Sequence, residues 1–193
     1  MKLIYGVVAL AALAISSLVY KNSRFGVASP EYRVVESDGP FEIRDYPAMT
    51  VVGTPMADAD MTNSSSFMRL FRYISGSNET EQKISMTTPV MTSQENGRFQ
   101  MSFIVPEKVA ADGAPRPTAG DVELETLPGG RFAAFRFSGR WTQTKFKEAT
   151  AKLEQWLEGR ELKSAGHPII ANYDPPFTPP RLRRNEVWIR LES

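Results

Sequence analysis

From Pro30 onwards apolar and polar residues alternate: Tyr32, Val34 and Val35, then Phe41 and Ile43, then Met49, Val51 and Val52. Such alternation predicts strands, because successive side chains of an extended chain point to opposite faces. Asp38-Gly39-Pro40 reads as the turn between the first two. At Phe67 the period lengthens, with Phe67, Leu70, Phe71 and Ile74 at the i, i+3, i+4, i+7 spacing of an amphipathic helix. Asn63 and Ser64 are its capping candidates and Gly76 its stop. Strand-like stretches return at Ile84 to Val90 and Phe99 to Val105, and Pro106 closes the first half.

The order then repeats. An exposed connection, Ala111 to Gly120, leads to strand patterns at Val122 to Leu127 and Arg131 to Phe137. Thr142 opens a second helix that turns Phe146, Ala149, Leu153, Trp156 and Leu157 one way and stops at Gly159. Ile169 to Tyr173 and Glu186 to Leu191 supply the last strands. Each half reads strand, strand, helix, strand, strand. Neither half alone buries enough for a stable core, so the pattern predicts an α+β fold: two similar units packed through a shared sheet or a partly closed barrel.

Ahead of this domain, Leu3 to Tyr20 contains no charged residue and is bracketed by Lys2 and Lys21. As a helix it would be about 27 Å long, close to the roughly 30 Å hydrocarbon core of a bilayer. Residues 1 to 24 are therefore read as an N-terminal hydrophobic helix, a membrane anchor or signal segment, and 25 to 30 as a linker to a domain spanning 31 to 193. Ala12-Leu13-Ala14 is similar to a cleavage site, but the apolar run continues past it. That favours an uncleaved anchor over a secreted product. Basic residues flank both ends, so charge barely orients the segment. The expected placement is a membrane-anchored domain outside the cytoplasm, periplasmic in a bacterium, with a cytoplasm-facing domain as the alternative.

Composition removes several chemistries. The 193 residues carry 23 Lys plus Arg against 22 Asp plus Glu, a net charge of +1. This lacks the basic excess of a non-specific nucleic-acid binder, so nucleic acid is not an expected partner. The absence of Cys and the presence of one His exclude thiol nucleophiles, disulfides, Cys-rich zinc or iron–sulfur sites, and metal sites needing two imidazoles. No G-x-G-x-x-G, G-x-x-x-x-G-K-[ST], H-E-x-x-H or G-x-S-x-G is present, so dinucleotide, triphosphate, zincin and α/β-hydrolase sites lack their usual loops.

On the first helix, Met68, Arg69 and Arg72 fall beside the core stripe of Phe67, Leu70, Phe71 and Ile74. Apolar and guanidinium groups side by side suit a flat ligand with an apolar body and carboxylate edges. Solvated arginines on an ordinary amphipathic helix are the plainer reading. His167, between Gly166 and Pro168, and Met86 are candidate iron ligands. A loop histidine is more often plain surface, and a methionine more often core filling.

Several collinear segments resemble the SOUL haem-binding family. They are Phe41-Glu42-Ile43-Arg44-Asp45-Tyr46, Tyr73-Ile74-Ser75-Gly76-Ser77-Asn78, Lys83-Ile84-Ser85-Met86-Thr87-Thr88-Pro89-Val90, Pro115-Arg116-Pro117, Tyr173-Asp174-Pro175-Pro176-Phe177 and Arg183-Arg184-Asn185-Glu186-Val187-Trp188, over residues 31 to 192. The resemblance implies a distorted β-barrel of two pseudo-repeated halves that binds haem or a related porphyrin in a shallow apolar site beside the first helix. It places the cofactor on Phe67, Met68, Arg69, Phe71 and Arg72. Some members are proposed to use a histidine where this chain has Asp45, and a basic residue where it has Thr178, so neither interaction carries over. The expected function is a haem or porphyrin carrier, buffer or scavenger, not an enzyme, tethered to a membrane through residues 3 to 20. The rivals are an enzyme acting on a tetrapyrrole or small amphiphile, and an interaction module without ligand. In the enzyme, Glu42 or Glu186 would move protons, which needs a buried carboxylate of raised pKa.

Overall fold

A computed structural model of the chain describes residues 26–56, 64–95 and 97–192. Its strands are β1 (Arg33–Asp38), β2 (Phe41–Tyr46), β3 (Met49–Met56), β4 (Val90–Glu95), β5 (Arg98–Ile104), β6 (Glu123–Leu127), β7 (Gly130–Phe137), β8 (Ile169–Asn172) and β9 (Asn185–Arg190). The helices are α1 (Ser64–Ile74), α2 (Glu107–Ala111) and α3 (Gln143–Glu158), with a short 3-10 turn at Pro180–Leu182.

All nine strands join one sheet in the order β1-β2-β7-β9-β8-β4-β5-β3-β6, every pairing antiparallel. The order mirrors itself about the central β8–β4 pair: β9 matches β5, β7 matches β3, and β2 matches β6. The halves also exchange a strand. β2 of the first half pairs with β7 of the second, Phe41 opposite Phe135, while β6 of the second pairs with β3 of the first, Thr126 opposite Thr50. The duplication is thus present, with β1 as an extra strand at the front of the first half.

The barrel is not. β1 and β6 each have one neighbour, so the sheet is open. Both edges expose charge, Arg33, Glu36 and Asp38 on β1 and Glu123 and Glu125 on β6, which discourages either from taking another strand.

Strand alternation sorts the core into layers. α1 packs on β3 and β5, and α3 on β7 and β9, on the same side of the sheet. Val52, Leu70, Tyr73 and Phe103 meet under α1, and Ala133, Leu153, Val187 and Ile189 under α3. Val51, Met91, Ala134 and Trp188 point the other way, into a third cluster on the face away from the helices. Thr142 caps α3 by accepting the Lys145 N–H at 3.2 Å, as its sequence position predicts.

One element prediction fails. Ile84 to Pro89 is loop, and the strand begins only at Val90. Ile84 and Met86 are apolar because they pack into the cluster under α1, and the Ile84 N–H donates to the Ile74 carbonyl at the helix end (2.8 Å). Between Pro106 and the exposed connection the chain folds as the short α2, an element the pattern did not foresee. The apolar segment Leu3 to Tyr20 and the capping candidate Asn63 lie outside the described residues, among which no helix is long and apolar enough to cross a membrane.

Candidate functional site

At about 100° per residue, α1 turns Ser66, Leu70, Tyr73 and Ile74 onto the sheet. Arg69 lies on one flank. Its Nε donates to Thr54 Oγ1 (2.9 Å), its Nη2 to Ser66 Oγ (3.0 Å), and it pairs with Asp121 at 3.1 Å. Thr54 is on β3 and Asp121 leads into β6, so this guanidinium is engaged at the sheet edge. Phe67 and Phe71 occupy the opposite flank, towards β4, with their rings 6.1 Å apart and nearly parallel. Phe67 also sits edge-on to Phe103 at 5.2 Å. Met68 and Phe71 are both 42% exposed, large apolar side chains open to solvent beside exposed Arg72.

The sheet order leaves an opening between the two helices. With α1 over β5 and β3 and α3 over β7 and β9, neither helix covers the central β8–β4 pair. A cavity of about 320 Å³ lies there, floored by Thr92 and Ile170, bounded by Phe99 and by Phe146 of α3, and closed at one end by His167 and Pro168. A second cavity, about 290 Å³, opens on the other face between Val51, Met91, Gln100 and Glu125. His167 lines both. Phe99, Phe146 and Thr92 were not singled out in the sequence as site residues. The cue was the run Thr92-Ser93-Gln94, polar for a strand in the middle of a sheet.

The other candidates fall elsewhere. Met86 is half-buried and packed against the cluster under α1. Asp45, on β2, accepts from Arg131 (2.9 Å) and Arg33, and the Arg131 hydrogen bond holds its carboxyl below the usual range. Thr178 is buried, and its carbonyl accepts from Arg183 Nε at 2.8 Å. Among the described residues no group of three or more His, Cys, Asp or Glu could hold a metal ion.

Glu186 is fully buried on the face away from the helices. It accepts from Arg44 (2.7 and 3.1 Å), Arg184 (2.8 and 2.6 Å), the Trp188 indole N–H (2.7 Å) and the Tyr173 hydroxyl (3.1 Å). Burial alone would raise its pKa, but Arg44 and Arg184 outweigh burial and hold it down at about 2. This is the reverse of the raised pKa a proton-transferring carboxylate needs, so Glu186 does not serve the enzyme reading. Glu42, half-exposed, is an ion-pair partner of Arg44 at 2.7 Å. The network joins the first and last motifs of the resemblance across β7, and its role is architectural.

The SOUL heme-binding protein family matches residues 27–190. The chain belongs to that family. "Heme-binding protein 1" of Xenopus tropicalis is 32% identical over 182 residues, covering 87% of this chain and 95% of that one. "Heme-binding protein 2" of Homo sapiens is 29% identical over 178 residues, covering 84% and 85%. An uncharacterized conserved protein from Listeria innocua shares the fold with a TM-score of 0.58 at 13% identity, over 79% of this chain and 92% of that one. At that identity the likeness speaks for the fold alone. Within the family frame, the segment Tyr73–Asn78 has a clear structural task. Buried Asn78 donates to the Tyr73 and Gln82 carbonyls (3.0 and 2.8 Å) and fixes the turn that ends α1.

Proposed function

We propose that this SOUL-family chain binds haem or a related porphyrin on the outer flank of α1, at the rim of the groove over β4 and β8, as a carrier, buffer or scavenger. The observation that carries the reading is the exposure of Met68 and Phe71, 42% each, beside Arg72 on a helix whose other side is core. The residues suit the group. Phe67, Phe71 and Met68 offer apolar surface to a macrocycle, and Arg72 can pair with a propionate. Arg69 is already engaged and drops out of the expected set. Bound haem would bring an iron open to axial ligation, while the protein supplies apolar contact and orientation. The family membership and the downward shift of Glu186 both favour binding over catalysis. The charge-free stretch Leu3 to Tyr20 supports tethering to a membrane with the domain outside the cytoplasm.

Titrating the full chain in detergent with ferric haem and with iron-free protoporphyrin, followed by visible absorption, tests the reading. Saturable one-to-one binding of both is expected, weakened roughly tenfold by Phe71→Ser, about 1.4 kcal/mol of lost apolar contact. A folded sample that saturates with neither ligand leaves only an interaction module.

A further inference from the structure

We propose that His167 is the protein ligand to the haem iron, reached from the groove between α1 and α3; this rests on the haem-binding reading above. Three observations converge on it. The chain has one histidine, and it is exposed and lines both cavities, which also share Ser93 and Gln94 of β4. The backbone holds it there, because Pro168 follows it and β8 begins at Ile169, paired with Ser93 of β4 and Trp188 of β9. Among the described residues, no group hydrogen-bonds its imidazole, so both ring nitrogens are open to a ligand bond.

The groove has the character such a ligand needs. Phe99 and Phe146 give it aromatic walls and Ile170 an apolar floor, and Phe67 and Phe71 lie on the flank of α1 that faces β4. His167 is the imidazole among the residues that line the groove itself.

Among the described residues, other side chains of matching chemistry are placed differently. Met86 is packed against the α1 core and Met91 is buried on the far face. Tyr32, Tyr46, Tyr73 and Tyr173 are buried, and burial raises the pKa of each hydroxyl, which opposes the phenolate needed to hold iron. Met68 is exposed on α1 and is not among the residues that line the groove. An imidazole is moreover the common proximal ligand of haem proteins.

The test uses the full chain in detergent with two probes, ferric haem and iron-free protoporphyrin, on wild type and His167→Ala, with near-ultraviolet circular dichroism to verify the fold. His167→Ala is expected to move the Soret maximum and weaken haem binding by roughly tenfold or more, while protoporphyrin affinity changes less than about twofold. Free imidazole added to the variant is expected to restore the wild-type spectrum. A Soret band and haem affinity unchanged by His167→Ala would overturn the assignment while leaving the haem reading intact. The same holds if Met68→Ala, and not His167→Ala, moves the band. Failure of wild type to saturate with either probe would remove the haem reading itself, and this assignment with it.

Discussion

At the scale of single residues, the charge buried deepest in the domain is Glu186, and its partners decide its worth. Two guanidiniums, an indole and a phenol surround it with no water-facing side, so a neutral replacement leaves buried Arg184 without this counter-charge and Arg44 with Glu42 alone. Glu186→Gln is expected to destabilise the fold by about 3–5 kcal/mol, read as a lower urea midpoint with an unchanged slope. The pH dependence has a definite sign. Because the folded carboxyl titrates at about 2 against an ordinary 4.5, its contribution of roughly 3 kcal/mol is complete above 4.5 and is lost as pH falls towards 2. Urea midpoints measured from pH 6 to pH 2 should therefore fall less steeply in the variant than in wild type. Parallel slopes would show that Glu186 is not clamped.

At the scale of elements, α1 was legible as a helix and its two faces were not. Phe67, Leu70, Phe71 and Ile74 set its period, yet the same pattern could not say that Arg69 reaches Thr54 and Asp121 while Arg72 does not, because both partners belong to segments distant in the chain. Arg69→Ala is accordingly expected to lower stability by about 1 kcal/mol and to leave porphyrin affinity within about twofold, by thermal unfolding and by titration. Loss of affinity without loss of stability would return Arg69 to the site. The strands divide in the same way. β2, β3, β5, β7 and β9 alternate or run apolar and were readable, because each is packed on one or both faces. β4 was displaced in the reading, because Thr92-Ser93-Gln94 floors cavities while the nearby apolar Ile84 and Met86 serve the helix cluster from a loop.

At the scale of the whole molecule, the duplication in the sequence becomes a mirrored sheet in which each half lends its first paired strand to the other. Residues 31–111 and 112–193 expressed separately should each fail to show a folded dispersed amide spectrum, since β3 would lack β6 and β7 would lack β2. Mixing the two should recover it, and an independently folded half would contradict the exchange. The groove is a product of the same topology. Phe99 and Phe146 come from opposite halves, and no local pattern in either foretells that two helices leave β8 and β4 uncovered between them.

The central claim is the location of the ligand, and amide chemical-shift mapping with iron-free protoporphyrin tests it most directly. The account predicts perturbations concentrated at Phe67 to Arg72 of α1, Thr92 to Gln94 of β4 and Phe146 of α3, with β1 and Phe177 undisturbed. Perturbations gathered instead around exposed Phe177 and Leu182, or around Gln100 and Glu125 on the far face, would contradict it.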